Sequence, residues 1–474
     1  MNTEFDSTPD RVVIIGGGPG GYEAALVAAQ LGADVMLIER NRCGGAAVLT
    51  DVVPSKSLIA TAEMMDEIAR SNSLGIRISK NADEGDDDGE VTADLKAVNK
   101  RILALADAQA NDIYEALNRS GVKVIQGTAE LVDRDHVSVV ETSGTAYTLE
   151  ASTILLAVGS HPRELDSAKP DGERILSWTQ LYDLDSLPEH LIVVGSGVTG
   201  AEFASAYRAL GTNVTLVSSR EKVLPGQDED AADVLEFVFR NKGMNVLSRS
   251  RAESVTRTED GVVVTLSDGR RVEGSHCLMA VGSIPNTEGL GLKAAGVKVK
   301  ESGHIVVDGV SRTSRSGIYA AGDCTGVLPL ASVAAMQGRI AMFHALGDAV
   351  QPLKLRHVAS NVFTAPEIAT VGFTQQNYRE NSTDIDTVML PLDTNPRAKM
   401  LGIKDGFVKI FARRGSGSIL GGVVVGPRAS ELILPVTIAV ENRLTVDQLS
   451  ASFVVYPSVS GSLTEASRQL HRHL

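Results

Sequence analysis

Two groups of glycines carry the spacing that binds a diphosphate. Gly16, Gly18 and Gly21 stand between a short apolar strand and an alanine-rich helix, and Glu39 follows Gly16 by 23 residues at the end of a second apolar strand. In such a turn the first glycine makes the tight bend, the second admits a pyrophosphate, and the third lets helix and strand pack closely. The helix N-terminus adds unpaired N–H groups and positive dipole character for the phosphates. Glu39 is placed to accept hydrogen bonds from a ribose diol. Gly195, Gly197 and Gly200 repeat the spacing, but Ser218 takes the place of Glu39, with Ser219 and Arg220 after it. A carboxylate there would repel a 2′-phosphate, whereas hydroxyls and a guanidinium bind one. The second site is therefore expected to accept NADPH, with NADH also possible. Two dinucleotide sites in one chain imply electron transfer between a resident flavin dinucleotide and an exchanging nicotinamide.

The elements that must position these residues are arranged as a repeat. Residues 14–40 lie on residues 193–219 without a gap, each copy reading strand, glycine turn, helix, glycine and returning strand. That is the start of a βαβ unit. Between the copies the pattern predicts a helix over about 55–71, a solvated loop at the acidic run Asn81–Glu90, a helix over about 92–119 and strands near 122–140. A turn-rich stretch, 159–190, leads into the second copy. After about residue 280 the chain is expected to rejoin the first domain, because GIYAAGDC (317–324) reads as a buried strand ending in a glycine–acid turn, with a helix of about 331–346 behind it. From about 351, strands broken by Pro and Gly and a closing helical tail read as a separate α+β domain.

Bulk composition narrows the function classes. With 59 acids against 45 bases the net charge is −14, which disfavours nucleic acid and anionic membrane surfaces. No apolar run approaches the roughly 18 residues of a membrane span. The acidic N-terminus running straight into a strand does not read as a secretory signal, so a cytoplasmic location is expected. Cys43, Cys277 and Cys324 form no CxxC pair and have no metal-ligand spacing, and they read as buried apolar residues rather than metal ligands.

The segment GGAAVLTDVVPSKSLIA (44–60), together with both glycine turns, AVGSHP (157–162), AVGSIPN (280–286) and YAAGDCTG (319–326), resembles the flavoprotein disulfide reductases, dihydrolipoamide dehydrogenase above all. The resemblance runs from about residue 11 to 468. It implies an α/β fold of two Rossmann-type dinucleotide-binding domains, for FAD and NAD(P), plus a C-terminal α+β dimerisation domain. The expected boundaries are 1–160 with 280–350 for FAD, 161–279 for NAD(P), and 351–474 for the dimerisation domain of a homodimer. Asp323 is expected to bind the ribityl or phosphate portion of FAD, and Gly159 and Gly282 to line the cofactors. Lys56 would stand near flavin N5, with Glu202 as its ion-pair partner.

Two departures from the family pattern change the chemistry. Where the disulfide reductases carry two redox cysteines separated by four residues, this chain has Ala47 and Val52. Where they carry a His-Pro pair and a glutamate that serve a thiol substrate, it has Tyr456-Pro457 and Gly461. Disulfide chemistry is lost together with the acid/base that serves it. What remains suits hydride transfer from NAD(P)H to flavin N5 and direct electron transfer to a quinone, and the family contains members of that kind. Tyr456, arriving from the partner subunit, would line the acceptor pocket. A soluble pyridine nucleotide transhydrogenase or diaphorase is the alternative enzyme, and a non-catalytic nucleotide-responsive flavoprotein is the alternative outside catalysis.

Overall fold

A computed structural model describes residues 10–77, 91–380 and 383–471. The run Asn81–Glu90 lies outside the described residues. The chain divides into two compact units, the first built from Met1–Ser55, Lys100–Arg163 and Gly282–Lys354, the second from Lys56–Asn99, Glu164–Val281 and Leu355–Leu474. In sequence, the helix Val52–Arg70 carries the chain from the first unit into the second, and the helix Leu95–Arg119 carries it back.

The first unit is organised by a seven-stranded sheet in the order Ile318–Ala320, Thr153–Leu156, Arg11–Ile15, Asp34–Glu39, Lys123–Leu131, His136–Glu141, Ala146–Glu150. Its first five strands are parallel and the last two antiparallel. A parallel strand covered on both faces reads as an unbroken apolar run rather than an alternation. Arg11–Ile15 shows this: Val12 and Ile14 join one core with Leu37 and Leu155, while Val13 and Ile15 join another with Ile38, Ile154 and Leu156. Each such buried side chain contributes about 1.5–3 kcal/mol. The expected return of the chain after residue 280 is the edge strand Ile318–Ala320, and the helix after it spans Ala331–Ala345.

The second unit contains a five-stranded parallel sheet, ordered Asn245–Leu247, Asn213–Val217, His190–Val194, His276–Met279, Ile175–Ser177. The internal repeat is a repeat of register as well: Arg11 pairs with Asp34 in the first sheet and His190 with Asn213 in the second, at matching positions. A five-stranded antiparallel sheet follows from the C-terminal segment, Ser360–Val362, Glu367–Gly372, Ile419–Gly426, Phe407–Arg413 and Ile385–Pro391 in that order. A buried ion cluster ties these two sheets into one unit. Lys409, 3% exposed, reaches Asp228 at 2.7 and 2.8 Å, Asp230 at 2.5 Å and the Gln375 side chain at 2.8 Å. Asp228 also caps the helix Glu229–Asn241, accepting from the amides of Asp230 and Ala231. Removing one partner of such a cluster strands a charge in the core, which costs about 3–5 kcal/mol.

Candidate functional site

The two glycine turns have the same geometry. Gly16 and Gly195 hold φ of +101° and +110°, and a Cβ on either would lie 2.3 or 2.2 Å from the carbonyl oxygen of Ala157 or Ala280. A Cβ at Gly21 or Gly200 would meet the carbonyl oxygen of Gly16 or Gly195 at 1.9 or 1.8 Å. The middle glycines are different, because their φ of −70° suits any residue. What they provide is room: no atom lies within 4 Å of a Cβ at Gly197, and only the Cα of Gly45, at 4.0 Å, is near one at Gly18. Gly18 and Gly197 are the N-caps of the helices Pro19–Gln30 and Val198–Ala209, and no side chain caps either helix. Bare helix N-termini facing open space fit the diphosphates of FAD and NAD(P).

At the end of the returning strands the two copies differ. The buried Glu39 accepts from the Gly17 amide at 2.7 Å and the Asn41 amide at 2.8 Å. Each carboxylate oxygen has a second lone pair, so the acid retains capacity for ribose hydroxyls. Ser218, fully buried, lies with its hydroxyl 2.7 Å from that of Ser196 and accepts from the Arg220 amide at 3.1 Å. Ser196 occupies the place of Gly17, so a pair of hydroxyls stands where the first copy has the Glu39 carboxylate. The Arg220 side chain is exposed.

Asp323 follows the buried strand Ile318–Ala320 across Gly322, whose φ is +85°. Its carboxylate accepts from the Ser160 hydroxyl at 2.9 Å. Burial holds its carboxyl above the usual range, and the Ser160 bond and His304 pull the other way. The buried Gln337 accepts from the Gly322 amide at 2.9 Å and fixes the turn. A half-buried acid of this kind fits a polyol hydroxyl. Sequence reasoning missed Ser160 and Gln337, although Ser160 lies inside a quoted motif. Gly159 and Gly282 sit at the ends of a two-stranded antiparallel ribbon in which AVGSHP and AVGSIPN pair with each other, Ser160 opposite Pro285 and Pro162 opposite Ser283.

Lys56 and Glu202 meet as expected within the second unit. Lys56 Nζ is 2.8 Å from Glu202 Oε2, with the lysine side chain 27% exposed and the glutamate 4%. The other oxygen, Oε1, accepts from the Phe363 amide at 2.9 Å, and the ammonium lies 5.0 Å from the centre of the Phe363 ring. Sequence reasoning missed Phe363, which falls in the stretch after about 351 read only as strands broken by Pro and Gly. Ala47 and Val52 are half-buried hydrocarbon in the first unit. The three cysteines are buried, and burial pushes the Cys43 thiol up to about 11 and that of Cys324 up to about 12. Tyr456 is 82% exposed and ends the exposed run Phe453–Tyr456.

The fold and these turns are those of a two-nucleotide flavoenzyme, and comparison with known proteins agrees. The pyridine nucleotide-disulphide oxidoreductase model matches residues 10–338, and the dimerisation domain of the same family matches 358–467. The chain belongs to the pyridine nucleotide-disulphide oxidoreductase family. It is an oxidoreductase whose cofactors are FAD and a pyridine nucleotide, with a C-terminal dimerisation domain. It is 54% identical over 472 residues to an NAD(P)H dehydrogenase (quinone) of Mycobacterium tuberculosis, covering 98% of this chain and 94% of that protein. A dihydrolipoyl dehydrogenase of Zymomonas mobilis is 31% identical over 460 residues, 96% of each chain. The crystal structure of LpdA from Mycobacterium tuberculosis superposes with a TM-score of 0.92 at 52% identity, covering 98% of this chain and all of the other. No helix among the described residues is long and apolar enough to cross a membrane.

Proposed function

We propose that this oxidoreductase is an NAD(P)H:quinone oxidoreductase that delivers electrons from its flavin directly to a quinone, with no redox disulfide between. One contrast carries the proposal. Ala47 and Val52 are hydrocarbon where the family's redox pair belongs, while the Lys56–Glu202 ion pair is kept at 2.8 Å. The name of the 54% identical relative, NAD(P)H dehydrogenase (quinone), supports it. Bound FAD supplies acceptance of a hydride and release of its electrons singly or in pairs.

The chain's own residues bind, orient and balance charge. The two glycine turns hold the diphosphates, and Glu39 and Asp323 take hydroxyls of the FAD ribose and ribityl chain. Ser218 and Arg220 leave the second site open to a 2′-phosphate, so NADPH is accepted as well as NADH. Gly159 and Gly282 shape the backbone on which the cofactors rest. Lys56, held by Glu202, would set a fixed positive charge beside bound FAD and favour its reduced, more negative form. The division into an FAD domain (1–160 and 280–350), an NAD(P) domain (161–279) and a dimerisation domain (351–474) follows the same roles. The assembly is a cytoplasmic homodimer in which Tyr456 lines the partner's acceptor pocket and stacks on or hydrogen-bonds the quinone.

Anaerobic stopped-flow spectroscopy tests this. NADPH or NADH should bleach the flavin absorbance, and a soluble quinone should restore it at a rate matching turnover. Recovery only with an oxidised nicotinamide would make the protein a transhydrogenase, and failure to bleach would leave a nucleotide-responsive flavoprotein without catalysis. Lys56→Met should slow the bleaching step roughly tenfold to a hundredfold.

A further inference from the structure

The chain after the strand Ser360–Val362 lies along one side of the helix Val198–Ala209 and meets it twice. The Phe363 amide donates to Glu202 Oε1 at 2.9 Å, and the Ala365 amide donates to Ser205 Oγ at 3.1 Å. Glu202 and Ser205 are one turn apart on that helix, so they present their oxygens on the same face. Thr364, between the two donors, is buried and closes the bend with a 2.7 Å bond to the Pro366 carbonyl. The Phe363 ring lies 5.0 Å from Lys56 Nζ. One residue therefore touches both members of the ion pair, the acid through its backbone and the base through its ring.

We propose that Phe363 is the positioning residue of the Lys56–Glu202 pair, its amide orienting the carboxylate and its ring holding the ammonium by a cation–π contact. Glu202 is 4% exposed and Lys56 27%, so the pair sits where a ring face competes with little water. The carboxylate holds the lysine from one direction only, and an ammonium has three donors that swing on a flexible stem. A second, non-hydrogen-bonding contact limits that swing. The inference rests on the proposed role of Lys56 as the cation serving the flavin. Because Phe363 comes from the C-terminal segment, it also makes that segment part of the machinery that sets the position of this charge.

The test compares aliphatic and aromatic replacements, since every side chain except proline leaves the amide bond to Glu202 in place. Phe363→Leu in the FAD-loaded protein should slow flavin reduction by NAD(P)H about fivefold, the size expected of a partly desolvated cation–π contact. The midpoint potential of the bound flavin should fall by about 20 mV, the same factor for a two-electron couple. Phe363→Tyr, which keeps a ring face, should restore both values. In a double-mutant cycle, Phe363→Leu should produce no further shift of the potential once Lys56 is Met. A Phe363→Leu protein with native potential, alongside a shifted Lys56→Met protein, would overturn the role of Phe363 and leave that of Lys56 standing. An unshifted Lys56→Met protein would remove both. Phe363→Met serves as a second aliphatic variant should the leucine protein fold poorly, and the same loss is expected of it.

Discussion

The two βαβ copies share backbone, register and glycine geometry, and they part where the returning strand gives out. The first ends in Glu39, whose carboxylate takes the Gly17 amide. The second has Ser218 directly after the strand Asn213–Val217, its hydroxyl paired with that of Ser196. The shared parts are what any dinucleotide requires, a tight bend and a bare helix N-terminus. The divergent part lies where, on the proposed reading, an adenosine ribose binds, and there two neutral hydroxyls in place of a charge would no longer repel a 2′-phosphate. A duplicated frame thus supplies two glycine turns of one geometry, and on the proposed reading the Glu39 and Ser218 positions set whether a 2′-phosphate is tolerated.

The largest expected effect would break the equivalence of the two turns. Gly16→Ala and Gly195→Ala place equal clashes on equal backbones, each costing at least about 3 kcal/mol locally. The first should purify without yellow colour. The second should remain yellow yet resist bleaching by NAD(P)H. Absorbance spectra before and after nicotinamide addition distinguish these outcomes, and loss of flavin from both variants would mean that the two turns do not serve separate cofactors.

A smaller effect would sharpen the difference between the strand ends. Ser196→Gly with Ser218→Glu rebuilds in the second site the pair that the first site has. The ratio of kcat/KM for NADPH to that for NADH should fall roughly a hundredfold, since a carboxylate against a phosphate costs several kcal/mol. An unchanged ratio would remove Ser218 from the specificity of the second site.

The smallest effect concerns the other acid assigned to the first site. The Asp323 carboxyl titrates above its ordinary range, chiefly through burial. A group raised in this way favours the folded state below its unfolded pKa of about 3.9 and loses that contribution as pH rises through the folded value. At neutral pH the ionised acid is therefore a cost to the cofactor-free fold. Asp323→Asn should raise the melting temperature of the apoprotein by a few degrees near pH 7, with the gain disappearing near pH 3. It should also weaken FAD binding about tenfold, the loss of one charged hydrogen bond. An apoprotein no more stable than the native one would show that Asp323 is better solvated than its burial implies.

Much of the first and second sites was legible along the chain because their chemistry is local. The glycine turn, the helix N-terminus and the returning strand fall within one short repeat, and spacing alone predicts that Gly16 and Gly195 bend while Gly21 and Gly200 make room. The loss of the redox cysteines is likewise a statement about two positions, Ala47 and Val52. The pairing of Lys56 with Glu202, 146 residues away, was reached through resemblance to a family and not through any periodicity.

Amino-acid order by itself determined the duplicated nucleotide frame, the absence of the redox cysteine pair and the residue types at the end of each returning strand. Only the tertiary structure decided what holds those residues in place. Ser160 meets Asp323 across 163 positions, and the Phe363 amide meets Glu202 across 161. AVGSHP and AVGSIPN, alike in sequence, turn out to pair with each other. Such contacts depend on where strands and helices come to rest after folding, and a side chain's hydrogen-bonding capacity does not specify which distant partner will fill it.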